Sequence, residues 1–160
     1  MNICGYESTD FINGEGVRTS LWVSGCSHKC KGCFNQKAWS YRYGKEFTDE
    51  DMERLKKDLS RNFISGLSIM GGEPLDPENI DIVKRIIKEV KLCFGESKDI
   101  MVWTGYLFED LDEEIKKHVD LIMDGKYNEN KPTTKRFRGS DNQRLWKKVN
   151  GYWSTEDEGG

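Results

Sequence analysis

With 160 residues, 33% of them charged and 36% hydrophobic, the chain has the size of one domain. Five Trp, six Tyr and seven Phe exclude a disordered chain, and a net charge of −3 excludes the basic surface that general nucleic-acid binding demands. No apolar run approaches the ~18–20 residues of a membrane helix, and the N-terminus lacks the basic start and apolar stretch of a signal peptide, so a cytoplasmic protein is expected, with no membrane or nucleic-acid partner.

In chain order, residues 18–24 read as a first strand, entered from the turn-forming stretch 13–16. Thr48, with Asp51 three residues on, reads as the cap of a helix carrying Met52, Leu55 and Leu59 at helical spacing. Residues 67–70 form a second strand, stopped by Gly71-Gly72. Asp76 before Pro77 starts a second helix, with an apolar stripe of Ile80, Val83, Ile87 and Val90. Residues 100–103 are a third strand, and a short helix with Phe108, Leu111 and Ile115 leads to a fourth at 119–123. Apolar runs alternating with amphipathic helices predict an α/β fold with a mostly parallel open sheet. One domain is expected over 1–150, followed by a flexible tail over 151–160.

Ligands of open α/β folds sit at the C-terminal ends of parallel strands. Four such ends carry Gly25-Cys26, Gly71-Gly72-Glu73, Thr104-Gly105-Tyr106 and Asp124-Gly125-Lys126. Their convergence on one edge defines the predicted site. Lys126 is read there either as a ligand-carboxylate partner or as one half of a structural salt bridge.

Three of the five cysteines, Cys26, Cys30 and Cys33, fall within eight residues. An odd count without an export signal points to metal or redox chemistry rather than disulfides. Thiolates suit zinc or iron–sulfur clusters. A structural zinc site wants four ligands, and a [4Fe–4S] cluster ordinarily takes four cysteines. Three would leave one iron open to a substrate. Cys4 reads as a terminal thiol, with a fourth-ligand role as the alternative, and Cys93 as a small buried hydrophobe. His28 reads as solvent-facing or loop-bonding, and His118 as a helix-end residue. Between 131 and 148, seven basic residues face one acid, Asp141; this reads either as a docking surface for an acidic partner or as a solvated segment.

The spacing Cys26-x3-Cys30-x2-Cys33 after the first strand, with Gly71-Gly72-Glu73 at the next strand end, resembles the signature of the radical S-adenosylmethionine (SAM) enzymes. The resemblance implies a partial (β/α) barrel, one [4Fe–4S] cluster held by Cys26, Cys30 and Cys33 as the catalytic centre, and SAM chelating the open iron. It also implies that Gly71, Gly72 and Glu73 contact the methionine end of SAM. Many members carry an aromatic residue before the third cysteine; here Gly32 stands there, so adenine contacts are expected from Gly32, Cys33 and Phe34.

The stretch 10–16, Phe34-Asn35, Trp39, Trp103-Thr104-Gly105-Tyr106, Asp124-Gly125-Lys126, Arg138-Gly139-Ser140 and Asn142-Gln143 together resemble the anaerobic ribonucleoside-triphosphate reductase-activating family, in the same order over most of the chain. Glu15 stands where that family usually has proline. This resemblance implies a glycyl radical made on the large subunit of that reductase, with an electron from a flavodoxin or ferredoxin. Two alternatives within the superfamily are an activase for another glycyl-radical enzyme and a small enzyme acting on a nucleotide precursor. An alternative of a different class is a zinc-stabilised binding module, with Cys4 or His28 as fourth ligand.

Overall fold

Local signals set the first helix. Thr48 accepts the Asp51 N–H while the Asp51 carboxylate accepts the Thr48 N–H at 2.9 Å, a reciprocal cap that opens α1 (Asp49–Leu59). Met52, Leu55 and Leu59 turn inward from α1. The computed structural model describes residues 1–33 and 36–157; Phe34, expected near the adenine, lies outside the described residues. The other elements are β1 (Asn2–Asp10), β2 (Arg18–Val23), β3 (Lys45–Glu46), β4 (Gly66–Gly71), α2 (Ile80–Phe94), β5 (Asp99–Trp103), α3 (Glu113–His118), β6 (Leu121–Asp124), β7 (Arg144–Val149) and β8 (Tyr152–Thr155).

The strands form one sheet in the order β3-β1-β2-β4-β5-β6-β7-β8. This corrects the expected fold class. The chain forms neither a mostly parallel open sheet nor a partial (β/α) barrel of the radical SAM type. Only β2-β4, β4-β5 and β5-β6 pair in parallel. The four pairings that flank them, β3-β1, β1-β2, β6-β7 and β7-β8, are antiparallel, and three α-helices are present among the described residues. The four parallel strands carry near-continuous apolar runs and were legible. The flanking strands are half-exposed and polar, and β1 is broken by register shifts around Gly5 and beyond Glu7, so neither alternation nor apolar runs mark them.

Alternation across the parallel strands divides their side chains between two faces. Leu21, Val23, Leu67, Ile69, Ile100, Val102 and Ile122 join the helices in the main core. On the opposite face lie Ser20, Trp22, Ser68, Met70, Met101, Trp103 and Met123, an assortment of hydroxyl, thioether and indole groups. Two segments tie down across that second face. The 11–17 loop is held by Asp10, which accepts from Ser20 Oγ (2.6 Å), Asn13 Nδ2 (2.7 Å) and the Ile12 N–H (2.9 Å). The 127–143 segment is held where Trp103 Nε1 donates to the Phe137 carbonyl at 2.7 Å.

The stretch read as a tail begins with a strand. Asn150 and Gly151, at φ 52° and 82°, make the two-residue turn between β7 and β8. Asp157 then accepts from the Leu145 N–H (2.8 Å), Arg138 Nη1 (2.9 Å) and Lys135 Nζ (3.2 Å). The basic stretch is also largely satisfied within the chain. Arg144 grips buried Asp124 at 2.5 Å and Glu109 at 2.9 Å, Arg136 reaches Glu15 at 3.7 Å, and the Lys148 ammonium donates to the Lys116 and Lys117 carbonyls at the end of α3. Cys93 is exposed on α2 rather than buried.

Burial raises the Asp10 and Asp157 carboxyls, but the hydrogen bonds they accept outweigh it and both end below the ordinary value. Their contribution to stability is present above the unfolded carboxyl pKa and lost as pH falls through the lower folded values. Thermal unfolding of the apoprotein should hold level from pH 7 to about 5 and decline steeply below about pH 4. Asp157→Asn should remove part of that acid-side decline, read by circular dichroism across the same range.

Candidate metal centre

The parallel strands β2, β4, β5 and β6 all end on one side of the sheet, and their following turns enclose a cavity of about 290 Å³. Cys26, Cys30 and Cys33 line it, each half-buried. So do Gly71, Gly72 and Glu73 after β4, Thr104 and Gly105 after β5, and Gly125 and Lys126 after β6. The four strand ends named from sequence thus meet as expected. Trp22, Met70 and Trp103 give the cavity apolar walls, and Gly139 and Gln143 close it from the 127–143 segment.

The turn after β4 is stitched to the turn after β2. The Gly72 N–H donates to the Val23 carbonyl (2.9 Å), and the Glu73 N–H to the Gly25 carbonyl (2.6 Å). This approach requires the glycines. Gly71 sits at φ 123°, and a Cβ on Gly72 would stand 2.3 Å from the Gly25 carbonyl oxygen. The cysteine loop leaves β2 through Gly25 and Cys26, whose N–H groups donate to the Ala38 and Trp39 carbonyls.

Glu73, 1% exposed, gathers three strand ends. Its Oε2 accepts from the Leu75 N–H (2.9 Å) and Thr104 Oγ1 (2.8 Å), and its Oε1 from the Gly105 N–H (2.6 Å) and His28 Nε2 (2.7 Å). Four donors fill the acceptor capacity of a carboxylate. The His28 side chain is only 6% exposed and packs edge-on to Tyr106 at 4.6 Å, so the solvent-facing reading gives way to the loop-bonding one. Three residues further along, fully buried Asp76 binds Ser27, Tyr41 and Tyr106. The sequence predicts a helix starting at Asp76, whereas α2 begins at Ile80 behind Asn79. The missed signal was a second acid three residues beyond the Gly-Gly-Glu turn.

The thiols are tuned by their surroundings. Burial pushes the Cys26 thiol up, opposed by the His28 and Lys29 N–H groups and supported by the negative charges of Glu73 and Asp76. Burial also pushes Cys30 up, against the Tyr127 N–H and the Lys126 charge. A bound metal reverses that trend, since coordination takes the thiolate. Cys4 sits within β1, where its thiol faces the Val23 carbonyl at 3.6 Å, and it does not line the cavity. Lys126 is exposed at the rim, and none of the ion pairs among the described residues includes it.

The residues fit an iron–sulfur cluster. Three soft donors share one cavity, and beside them the buried Trp39 indole N–H has no hydrogen-bond partner among the described residues. No three of His, Cys, Asp and Glu among the described residues are grouped to hold a single metal ion. Cubane ligands bind different irons and so stand farther apart than ligands of one ion.

A site of this kind on this chain has relatives. Residues 12–146 match the family model described as a 4Fe-4S single cluster domain, which makes the chain a single-cluster iron–sulfur protein. An anaerobic ribonucleoside-triphosphate reductase-activating protein of Enterobacteria phage T4 is 49% identical over 145 residues, spanning 90% of this chain and 92% of the phage protein. Proteins of the same name from Haemophilus influenzae and Pasteurella multocida are 42% identical over 149 residues (89% and 96% of the two chains) and 40% identical over 156 residues (92% and 98%). The chain belongs to the family of anaerobic ribonucleoside-triphosphate reductase-activating proteins.

Because Glu73 is sealed under four donors, Glu73→Ala should leave those donors buried and unpaired, at about 2–4 kcal/mol. Chemical denaturation should show that loss with an unchanged m-value; a stability equal to the parent would remove Glu73 from its place at the strand ends.

Proposed function

We propose that this protein holds one [4Fe–4S] cluster through Cys26, Cys30 and Cys33, binds SAM beside it, and installs a glycyl radical on an anaerobic ribonucleoside-triphosphate reductase. The observation that carries this reading is the enclosure of three thiols, rather than four, with the Gly71-Gly72-Glu73 turn in one cavity. Cys26, Cys30 and Cys33 would hold the cluster, which, given an electron by a flavodoxin- or ferredoxin-type donor, would supply the one-electron chemistry that splits SAM into methionine and a 5′-deoxyadenosyl radical able to take a hydrogen atom from the glycine.

The chain's own residues bind, orient and shield. Backbone groups of Gly71 and Gly72 face the cavity where the amino-acid end of SAM would lie. Lys126 at the rim offers a charge for its carboxylate. With both oxygens of Glu73 already occupied, its side chain holds the walls, and the ammonium falls to backbone carbonyls. The adenine contacts are assigned to the chain around Gly32 and Cys33. Trp22, Met70 and Trp103 form apolar walls that would exclude water and confine the ligand.

Replacing Cys26, Cys30 or Cys33 by Ala should abolish formation of 5′-deoxyadenosine. Cys93→Ala, on an exposed helix position, should leave it near the parent rate. Anaerobic reconstitution should give about four iron and four sulfide per chain. Mixed with SAM, a reductant and the reductase, the loaded protein should produce a glycyl doublet in electron spin resonance. Uptake of zinc in place of iron, or turnover retained in Cys30→Ala, would overturn the reading.

A further inference from the structure

We propose that Asp76 is a positioning residue that also sets the reduction potential of the cluster at Cys26, Cys30 and Cys33. This rests on the cluster assignment above and is independent of which reductase is activated. Asp76 is fully buried, yet its side chain does not serve the helix that follows it. Both of its oxygens point to the cysteine loop and the neighbouring turns. Oδ2 accepts from the Ser27 N–H (2.8 Å) and Tyr41 OH (2.6 Å); Oδ1 accepts from Ser27 Oγ (2.8 Å) and Tyr106 OH (2.6 Å). Ser27 immediately follows the first ligand, so the carboxylate grips the loop between Cys26 and Cys30 by main chain and side chain together.

All four donors are neutral. A buried ion held without a counter-charge is expensive, and a neutral acceptor would anchor Ser27 as well. Burial raises the Asp76 carboxyl, but the bonds from Tyr106, Tyr41 and Ser27 outweigh it and keep the group below its ordinary value, hence charged. Tyr41, pushed up by burial and by its bond to Asp76, stays a donor. The charge lies against the first ligand, since both Asp76 oxygens bind Ser27, the residue that follows Cys26. Reduction adds negative charge to a cluster, so a fixed anion nearby disfavours the reduced form and lowers the potential. A lower potential makes the reduced centre a stronger donor.

The test is an anaerobic redox titration of reconstituted protein without SAM, followed by electron spin resonance. Asp76→Asn keeps the shape and removes the charge. It should load about four iron per chain and show a midpoint more positive than the parent, and Asp76→Glu should move the midpoint back. A loaded Asp76→Asn protein with the parent's midpoint overturns the proposal while leaving the cluster assignment intact. If Asp76→Asn holds no iron, Ser27→Ala is measured instead. Loss of one of the two links should speed iron release to a chelator several-fold with an unchanged thermal midpoint; an unchanged release rate overturns the proposal. A parent protein that takes up no iron–sulfur cluster overturns the assignment and this proposal together.

Discussion

Two buried carboxylates hold the working end of this molecule. Glu73 and Asp76 lie on one turn after β4, and between them they collect hydrogen bonds from the cysteine loop after β2 and from the turn after β5. Strand ends are otherwise the least constrained part of a sheet, because ladder bonding stops there and the chain must reverse. Here each reversal is tied to an anion that solvent does not reach. The low dielectric that makes a buried carboxylate costly also strengthens each bond it accepts, so the network is strong only when complete. It is complete for both acids, and the cavity between the turns therefore has a defined shape before anything occupies it.

The sheet around that network is divided by task. Three parallel pairings in the middle place four strand ends side by side, which no run of antiparallel neighbours would do. The antiparallel strands at the flanks cover edges and anchor the connecting segments. The Arg144–Asp124 pair joins β7 to the end of β6 beside the cavity, and the Phe108 N–H also donates to Asp124. Gln143 stitches Gly125 to Gly139 and Ser140. The charge asymmetry of the last third of the chain has the same explanation. Arg138 and Arg144 close the fold upon Asp157 and Asp124 of the same chain.

The cavity combines a polar floor of backbone groups with walls of tryptophan and methionine. Such a site suits a ligand with polar and apolar parts, since backbone N–H and C=O groups can hold the one and the apolar walls the other. Three thiols line it, one fewer than a [4Fe–4S] cluster ordinarily takes.

The cysteine spacing, the glycine-bearing strand ends and the four apolar strand runs were determined by the sequence alone, because each is a local signal: ligand type, conformational freedom, side-chain period. The convergence of Gly25-Cys26, Gly71-Gly72-Glu73, Thr104-Gly105 and Gly125-Lys126 followed from those signals once the central strands were taken as parallel. What only the tertiary structure decided depended on contacts between residues distant in sequence. Asp76 reads locally as a cap and His28 as a loop residue, and their partners Tyr106 and Glu73 stand far from them in sequence. Likewise β1, β7 and β8 carry no apolar run, because polar and charged residues interrupt them and each is held by the neighbour it pairs with. Local pattern reports what a segment must hide from water; pairing and charge compensation are settled between segments, and they become visible only when the chain has folded.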